Sequence, residues 1–572
     1  MSKIKPSRAD AALRIADFAG IGAGGALSGK GAADLCNFRI RTDGTLETRA
    51  GYRRLTGWES GSVRAFWEGT LENTSYCFAV CGAKIYRLEP PTFEAVAVGS
   101  LLDSVGSVRF VCYCDALFLL DGNAILTYRS ALDTFEAVVP YAPLYGRNWS
   151  PTDLGEINEP FNLLSNCLRI HYLNMNGATA FYLPYYAQRV DAVRVDNVQT
   201  TEFTFTANSN YVVIPSAASA TEVEIAIFVK VDENTRLRML WTRDGYIHEE
   251  DGEQHLLLYG GLEDYRIYCS VPLDGGLLNA CKVFYPETDP LYFRAEDILL
   301  LGDSAHPPHT LCPHYGGILA LSDRKGWMLQ QADGVMEATV VLNGLGCAVA
   351  GAAVSCGNRI ATVSESGIFW LKASASHPEN ISCEKISEPI SALLPSGFAR
   401  RATVFWDAAR EELWVRDRLD DSGTVWVYSL SREEWLRFDG IGADLFSTTG
   451  YGVCFFGGST VYVFDDTLAA DDGNAITAYY RSGYFDFGSP ELVRRSLRLS
   501  LVASIGANEA TLCAETENRT LTRNLTGHTD AVAPEYFDFR ALTGRHRFLR
   551  FSISVTGVAK TSLYRLSIYS NF

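Results

Sequence analysis

The sequence predicts an all-β chain: a β-propeller that carries an inserted β-sandwich and ends in a C-terminal β-sandwich. Three observations lead there. Short hairpins of one design recur along most of the chain. Two stretches of different texture, one in the middle and one at the end, depart from that design. The composition favours sheets, with 28 Tyr, 30 Phe and 10 Trp against 5 Met, while helix signals are weak.

The repeated unit is clearest at Gly317-Ile-Leu-Ala-Leu-Ser-Asp-Arg-Lys-Gly-Trp-Met-Leu329, two apolar runs joined at a tight turn. The same layout returns at Asn358-Arg-Ile-Ala-Thr-Val-Ser-Glu-Ser-Gly-Ile-Phe-Trp-Leu371, about one propeller-blade length later. Further copies lie at residues 116–128, 412–428 and 452–464. A lone hairpin is marginal in water, so five or more need a shared core, and radial stacking into blades supplies one while leaving few exposed edges.

At 572 residues with 47% hydrophobic content, the chain is long enough for two to four domains. Residues 1–155 read as a Gly-rich leader and the first blades. Prolines at 140, 143, 151 and 160 then break the pattern. Six or seven short strands between residues 156 and 231 fit an inserted sandwich. Blades resume over 232–468. Alternating strands from 469 to 572 predict the C-terminal sandwich. Residues 7–18 and 386–394 are the best helix candidates, both short.

The net charge of −17 argues against a sequence-independent grip on nucleic acid through clustered Lys and Arg. An acidic surface can still line a passage for DNA, because like charge keeps a sliding polyanion from sticking. Neither a signal peptide nor a run of about 20 apolar residues is read from the sequence. The 14 Cys are scattered through strand-like runs without a CxxC pair, which argues against a disulfide framework or a zinc ribbon.

Four local patterns invite chemistry. Gly24-Gly-Ala-Leu-Ser-Gly-Lys-Gly31 approaches a phosphate-binding loop, but Gly31 stands where Ser or Thr would hold magnesium and a hairpin follows where a helix is needed. His306, His309, Cys312 and His314 gather four metal-ligand types in nine residues, in a spacing that matches no standard site and among prolines that point to a connecting loop. The turns at 322–327 and 421–426 resemble the Asp-box turns of sialidase propellers, which shape hairpins and do not catalyse. A glycosidase needs two carboxylates converging in one pocket, and 67 Asp and Glu single out no such pair. No catalytic, cofactor or metal residues are therefore assigned, and the expectation is a protein that is not an enzyme.

From Ala32 to Tyr52 the chain places Asn37-Phe-Arg, Gly44 and Arg49-Ala-Gly51-Tyr52 in a pattern that resembles the N-terminal signature of tailed-phage packaged-DNA stabilization or tail nozzle (tail tubular protein B-like) proteins. Weaker matches follow in the same order: Phe161-Asn-Leu-Leu, Ala180-Phe-Tyr-Leu-Pro, Val193-Arg-Val-Asp, Leu342-Asn-Gly-Leu-Gly-Cys347, Glu365-Ser-Gly-Ile-Phe-Trp-Leu371, and Asp472-Gly-Asn-Ala-Ile476 with Tyr484-Phe-Asp-Phe-Gly-Ser-Pro490. The resemblance implies that the hairpin opens a propeller. It also implies a structural virion protein, assembled in the host bacterial cytoplasm as a ring, hexameric in short-tailed phages. Such a ring docks below the portal and adaptor, extends and helps close the DNA channel, and carries a needle or tail fibres. Neighbouring copies are expected to pack through residues 156–230, with carboxylates facing DNA that passes without specific binding. The rival expectation is a propeller-type tail protein that binds or cleaves host glycan.

Overall fold

The computed structural model describes residues 13–21, 31–58, 61–332, 335–486, 491, 493, 496–527, 534–541 and 545–571. The chain is all-β, a β-propeller with an inserted sandwich and a C-terminal sandwich. It divides into two compact units, Arg64–Pro90 with Ala95–Leu345, and Met1–Val63 with Pro91–Glu94 and Gly346–Phe572.

The first unit contains four blades, each a four-stranded antiparallel meander. They are Val63–Leu71, Thr74–Cys81, Lys84–Glu89 and Glu94–Ser100; then Arg109–Tyr113, Ala116–Leu120, Ile125–Arg129 and Thr134–Ala137; then Asp244–Glu250, Glu253–Tyr259, Arg266–Ser270 and Phe293–Leu300; and finally Thr310–His314, Gly317–Leu321, Lys325–Ala332 and Val335–Asn343. Their second strands are near-continuous apolar runs because both faces are covered. Leu117 and Leu119 pack towards Phe78, Val80 and Ile85 of the first blade. From the same strand, Phe118 and Leu120 pack towards Leu256, Leu258 and Tyr268 of the third. In turn Leu257 and Tyr259 meet Ile318, Ala320 and Leu329 of the fourth. Alternate residues of one strand thus serve two neighbouring cores, the signature of sheets stacked face to face.

Between the second and third blades stands the inserted sandwich. Its larger sheet runs Leu144–Trp149, Cys167–Leu173, Glu222–Phe228, Arg189–Val195, Val198–Thr200, and its smaller one pairs Ala180–Ala187 with Ser209–Val213. Leu168, Ile170, Tyr172, Phe181, Leu183, Val212, Ile225 and Ile227 fill the space between them. The opening strand Leu144–Trp149 lies ahead of residue 156 and pairs parallel to Cys167–Leu173, an edge position that the flanking prolines tolerate.

Among its described residues the second unit holds three blades and the C-terminal sandwich. One blade is Ala353–Cys356, Arg359–Ser364, Gly367–Ser374 and His377–Lys385, and the next is Ala402–Asp407, Glu412–Asp417, Val425–Ser429 and Glu434–Phe438. The last has Leu445–Thr449, Gly452–Gly457 and Thr460–Asp465, and takes its fourth strand, Gly51–Gly57, from the other end of the chain. The sandwich is completed in the same way. Asn474–Ser482 takes Ala32–Cys36 as a neighbour, and Ser562–Asn571 takes Leu46–Thr48 and Leu13–Ile15. The hairpin Phe38–Ile40 with Leu46–Thr48, which the resemblance implied would open the propeller, therefore lies in a sheet of the C-terminal sandwich. Phe38 and Leu46 are fully buried there, and the strand after the hairpin, Gly51–Gly57, enters a blade.

Both helix candidates differ from expectation. Leu13–Ile15 is a strand, with residues 1–12 outside the described part, and residues 386–394 hold only the 3-10 turn Glu388–Ile390 in place of an α-helix. Among the described residues the two α-helices are Glu233–Leu240 and Gly275–Lys282, each started by an aspartate cap. Asp232 accepts from Thr235 N at 3.1 Å, and Asp274 accepts from Gly276 N at 2.6 Å and Leu277 N at 2.9 Å.

Candidate functional site

Four residues of the N-terminal signature, Asn37, Arg49, Gly51 and Tyr52, converge on one joint in the second unit. Arg49 is 1% exposed, and all five of its N–H donors find acceptors. Its Nε donates to Asn37 Oδ1 at 2.9 Å, and its Nη1 to Asp471 Oδ1 at 2.8 Å and to the Ala50 carbonyl at 2.9 Å. Its Nη2 reaches Asp471 Oδ2 at 2.5 Å and the Asp439 carbonyl at 3.1 Å. Asn37 sits at φ +56°, a left-handed conformation that Asn tolerates, and its Nδ2 donates to the Thr477 carbonyl at 2.8 Å. A Cβ on Gly51 would stand 2.1 Å from the Ala470 carbonyl oxygen, so only glycine fits there. Tyr52 packs edge-on against Phe455 at 4.8 Å and Tyr462 at 5.1 Å and donates its hydroxyl to the Gly440 carbonyl. The motif thus ties the N-terminal segment to the penultimate blade, the last blade and the C-terminal sandwich.

A cavity of about 380 Å³ opens beside this joint, lined by Cys36, Asn37, Arg437, Asp439, Asp471 and Thr477. Burial, with Asp439 adding to it, pushes the Cys36 thiol up to about 12, so it stays protonated and is no nucleophile at neutral pH.

The other sequence-level candidates come apart. His306 Nδ1 lies 2.9 Å from the Asp323 carboxylate at a loop, and burial lowers the pKa of His309. Cys312 and His314 are buried in the strand Thr310–His314. Among the described residues no three His, Cys, Asp or Glu stand in an arrangement able to hold a metal ion. In the Asp-box-like turn at 322–327 the shaping group is Ser322, whose Oγ accepts from Lys325 N at 3.1 Å. In the turn at 421–426 it is Asp420, which accepts from Ser422 N and Thr424 N. Residues 22–30, most of the phosphate-loop-like stretch, lie outside the described residues.

Two features were not read from the sequence. The first is a cleft of about 660 Å³ at one end of the third blade, where Asp244–Glu250 begins, Glu253–Tyr259 ends and Arg266–Ser270 begins. One wall is the helix Glu233–Leu240. Asn234, Arg238 and Trp241 fall at positions i, i+4 and i+7 and share a face, while Met239 points the other way into the core. Trp241 caps the helix and is 47% exposed. The opposite wall is the turn 260–265, bent by left-handed Gly260 and Glu263, with Leu262 82% exposed at its tip. Behind the turn, buried Asp264 accepts from Tyr268 Oη at 2.8 Å and Arg266 Nη1 at 3.0 Å, which fixes the Arg266 guanidinium 5.4 Å from the Tyr265 ring centre. The Asp232 cap followed by Trp241 was the available signal, but a Trp in an apolar run reads equally well as core.

The second feature is an aromatic face on the inserted sandwich. Tyr182, Tyr186 and Tyr211 are exposed. Tyr182 and Tyr211 are cross-strand partners with rings 6.3 Å apart, and Tyr186, four residues on in the same strand, is exposed while Phe181, Leu183 and Ala187 face the core. No helix among the described residues is long and apolar enough to cross a membrane.

No protein-family model matches the chain, and no curated protein does. Among solved structures, TmCBM61 in complex with β-1,4-galactotriose is 8% identical, with 17% of this chain and 66% of that one covered and a TM-score of 0.15. The extracellular domain of a hybrid two-component system from B. thetaiotaomicron is 9% identical, with 92% and 63% covered and a TM-score of 0.28. An exo-β-1,3-galactanase from Phanerochaete chrysosporium, solved with galactose, is 8% identical, with 91% and 100% covered and a TM-score of 0.23. The chain spans under two thirds of the length of the first two. Overlaps this loose assign it neither a substrate nor a partner.

Proposed function

We propose that the chain is a structural protein of a tailed-phage virion, of the tail nozzle or packaged-DNA stabilization kind. Its copies form a ring, six in a short-tailed phage, below the portal and adaptor. The observation that carries this reading is the Arg49 joint. The residues of the family-like motif serve to fasten the two ends of the chain together, as suits a part that must hold its shape around pressurised DNA. The ring closes through a heterologous contact, one face of each copy against a different face of the next. We assign the Tyr182, Tyr186 and Tyr211 face to that contact, since exposed tyrosines grouped on a rigid sheet are typical of interface anchors. The acidic surplus turns towards the channel, where it lets DNA pass without gripping it, and the distal end carries needle or fibre proteins. Negative-stain microscopy of the purified chain, alone and with portal and adaptor, tests this. A closed ring is expected, and replacing the three tyrosines by serine is expected to leave a folded monomer. A monomer that never joins portal and adaptor overturns it.

A second reading, a tail propeller that binds or cleaves host glycan, is favoured by the cleft around Trp241, where an exposed indole stands among unpaired polar side chains.

A further inference from the structure

We infer that the cleft between the helix Glu233–Leu240 and the turn 260–265 is a binding site for a neutral hexose-type saccharide. The inference rests on the glycan-binding reading above and gives it a place and a ligand class. It does not depend on whether the ring forms.

Four features support it. The cleft, about 660 Å³, lies within the ~300–1,000 Å³ of small-molecule sites. The helix wall offers the Trp241 ring, its backbone anchored at the helix end by the Trp241 N to Leu237 carbonyl bond at 3.0 Å. The C–H face of a pyranose is apolar and flat enough to lie on such a ring, while its hydroxyls point outwards to the rim. That rim carries Asn234, Arg238 and Glu263, planar groups able to bond adjacent hydroxyls in pairs, and none of the three makes a hydrogen bond or ion pair to another described residue. Each can exchange water for a hydroxyl without breaking a contact inside the protein.

The charges favour a neutral ligand. Arg238 and Arg266 are balanced by Glu263 and Asp264, and the Asp264 carboxylate is already engaged by Arg266 and Tyr268. A sulfated or sialylated sugar would find no net positive field. Arg266 is prearranged by Asp264, so little side-chain entropy remains to be lost when a ligand arrives.

The test is ligand-observed saturation-transfer NMR on the full-length protein. The probes are the methyl glycosides and homodisaccharides of glucose, galactose, mannose and N-acetylglucosamine. Saturation of the ring C–H protons of at least one probe is expected, along with loss of that signal in Trp241→Ala and partial retention in Trp241→Phe. Arg238→Ala, at an exposed position where folding is not at stake, is expected to weaken the same probe on the order of tenfold, the effect of losing about one charged hydrogen bond. Binding that persists unchanged in Trp241→Ala and Arg238→Ala overturns this site while leaving a glycan-binding protein. Absence of saturation for every probe with the wild type overturns both. Dissolution of the ring by Trp241→Ala, with no probe bound, would make the cleft an interface between copies and overturn the saccharide assignment.

Discussion

Arg49 has no donor left over and almost no solvent, which fixes what its loss must do. Arg49→Ala leaves the Asp471 carboxylate facing a buried void and frees Asn37 Oδ1, and breaking a pair so enclosed costs about 3–5 kcal/mol. Arg49→Lys is expected to recover little of it, because a single ammonium cannot reproduce a fork that meets Asp471 through two nitrogens and Asn37 through a third. Urea unfolding of the two variants checks both statements; a Lys variant as stable as wild type would refute the geometric one. At this scale the sequence was only partly legible. Asn37, Arg49, Gly51 and Tyr52 stood out as a motif, but their acceptors, Asp439 and Asp471, lie nearly four hundred residues or more away and nothing in their local pattern marks them. Trp241 was invisible for the opposite reason, since the run Leu237-Arg-Met-Leu-Trp241 does not say which face of a short helix the blade leaves uncovered.

Among the blade strands, Gly51–Gly57 has the most distant partner, Thr460–Asp465, paired through Tyr52 with Phe464 and Val463 with Arg53. Gly51→Ala would press a methyl into the Ala470 backbone, and backbone cannot swing aside as a side-chain tip can. The expected outcome is a loosened last blade. Hydrogen exchange at 452–465 should quicken markedly, while the blades between residues 109 and 343 keep wild-type protection. Uniform protection would show that the clash relaxes cheaply. The hairpins themselves were readable because a strand covered on both sides, such as Gly317–Leu321, cannot avoid being apolar throughout. The allegiance of the hairpin Phe38–Ile40 with Leu46–Thr48 was not, because alternation shows which face is buried and not which sheet buries it. The start of the inserted sandwich was obscured likewise, its strand Leu144–Trp149 being shadowed by Pro143 and Pro151.

At the level of the whole molecule, the two sandwiches differ in independence. Every strand of the inserted one pairs within it, and its core is drawn from residues 145–229. A fragment of residues 140–231 is therefore expected to melt cooperatively by circular dichroism. The C-terminal one borrows strands from residues 13–48, so a fragment of residues 470–572 leaves open edges and is expected to aggregate instead of melting. A well-behaved C-terminal fragment would mean that the borrowed strands are ornamental.

That borrowing also sets a timetable. Residues 13–57 leave the ribosome well before their partners at 460–465, 474–482 and 562–571, which follow roughly twenty seconds to two minutes later at ~5–20 residues per second. Through that interval the nascent chain trails unmatched β-edges while its middle has already matured, so a growing polypeptide of this design has reason to lean on chaperones. A prematurely stopped product would keep both ends ragged, and that gives cellular proteases a way to clear defective copies.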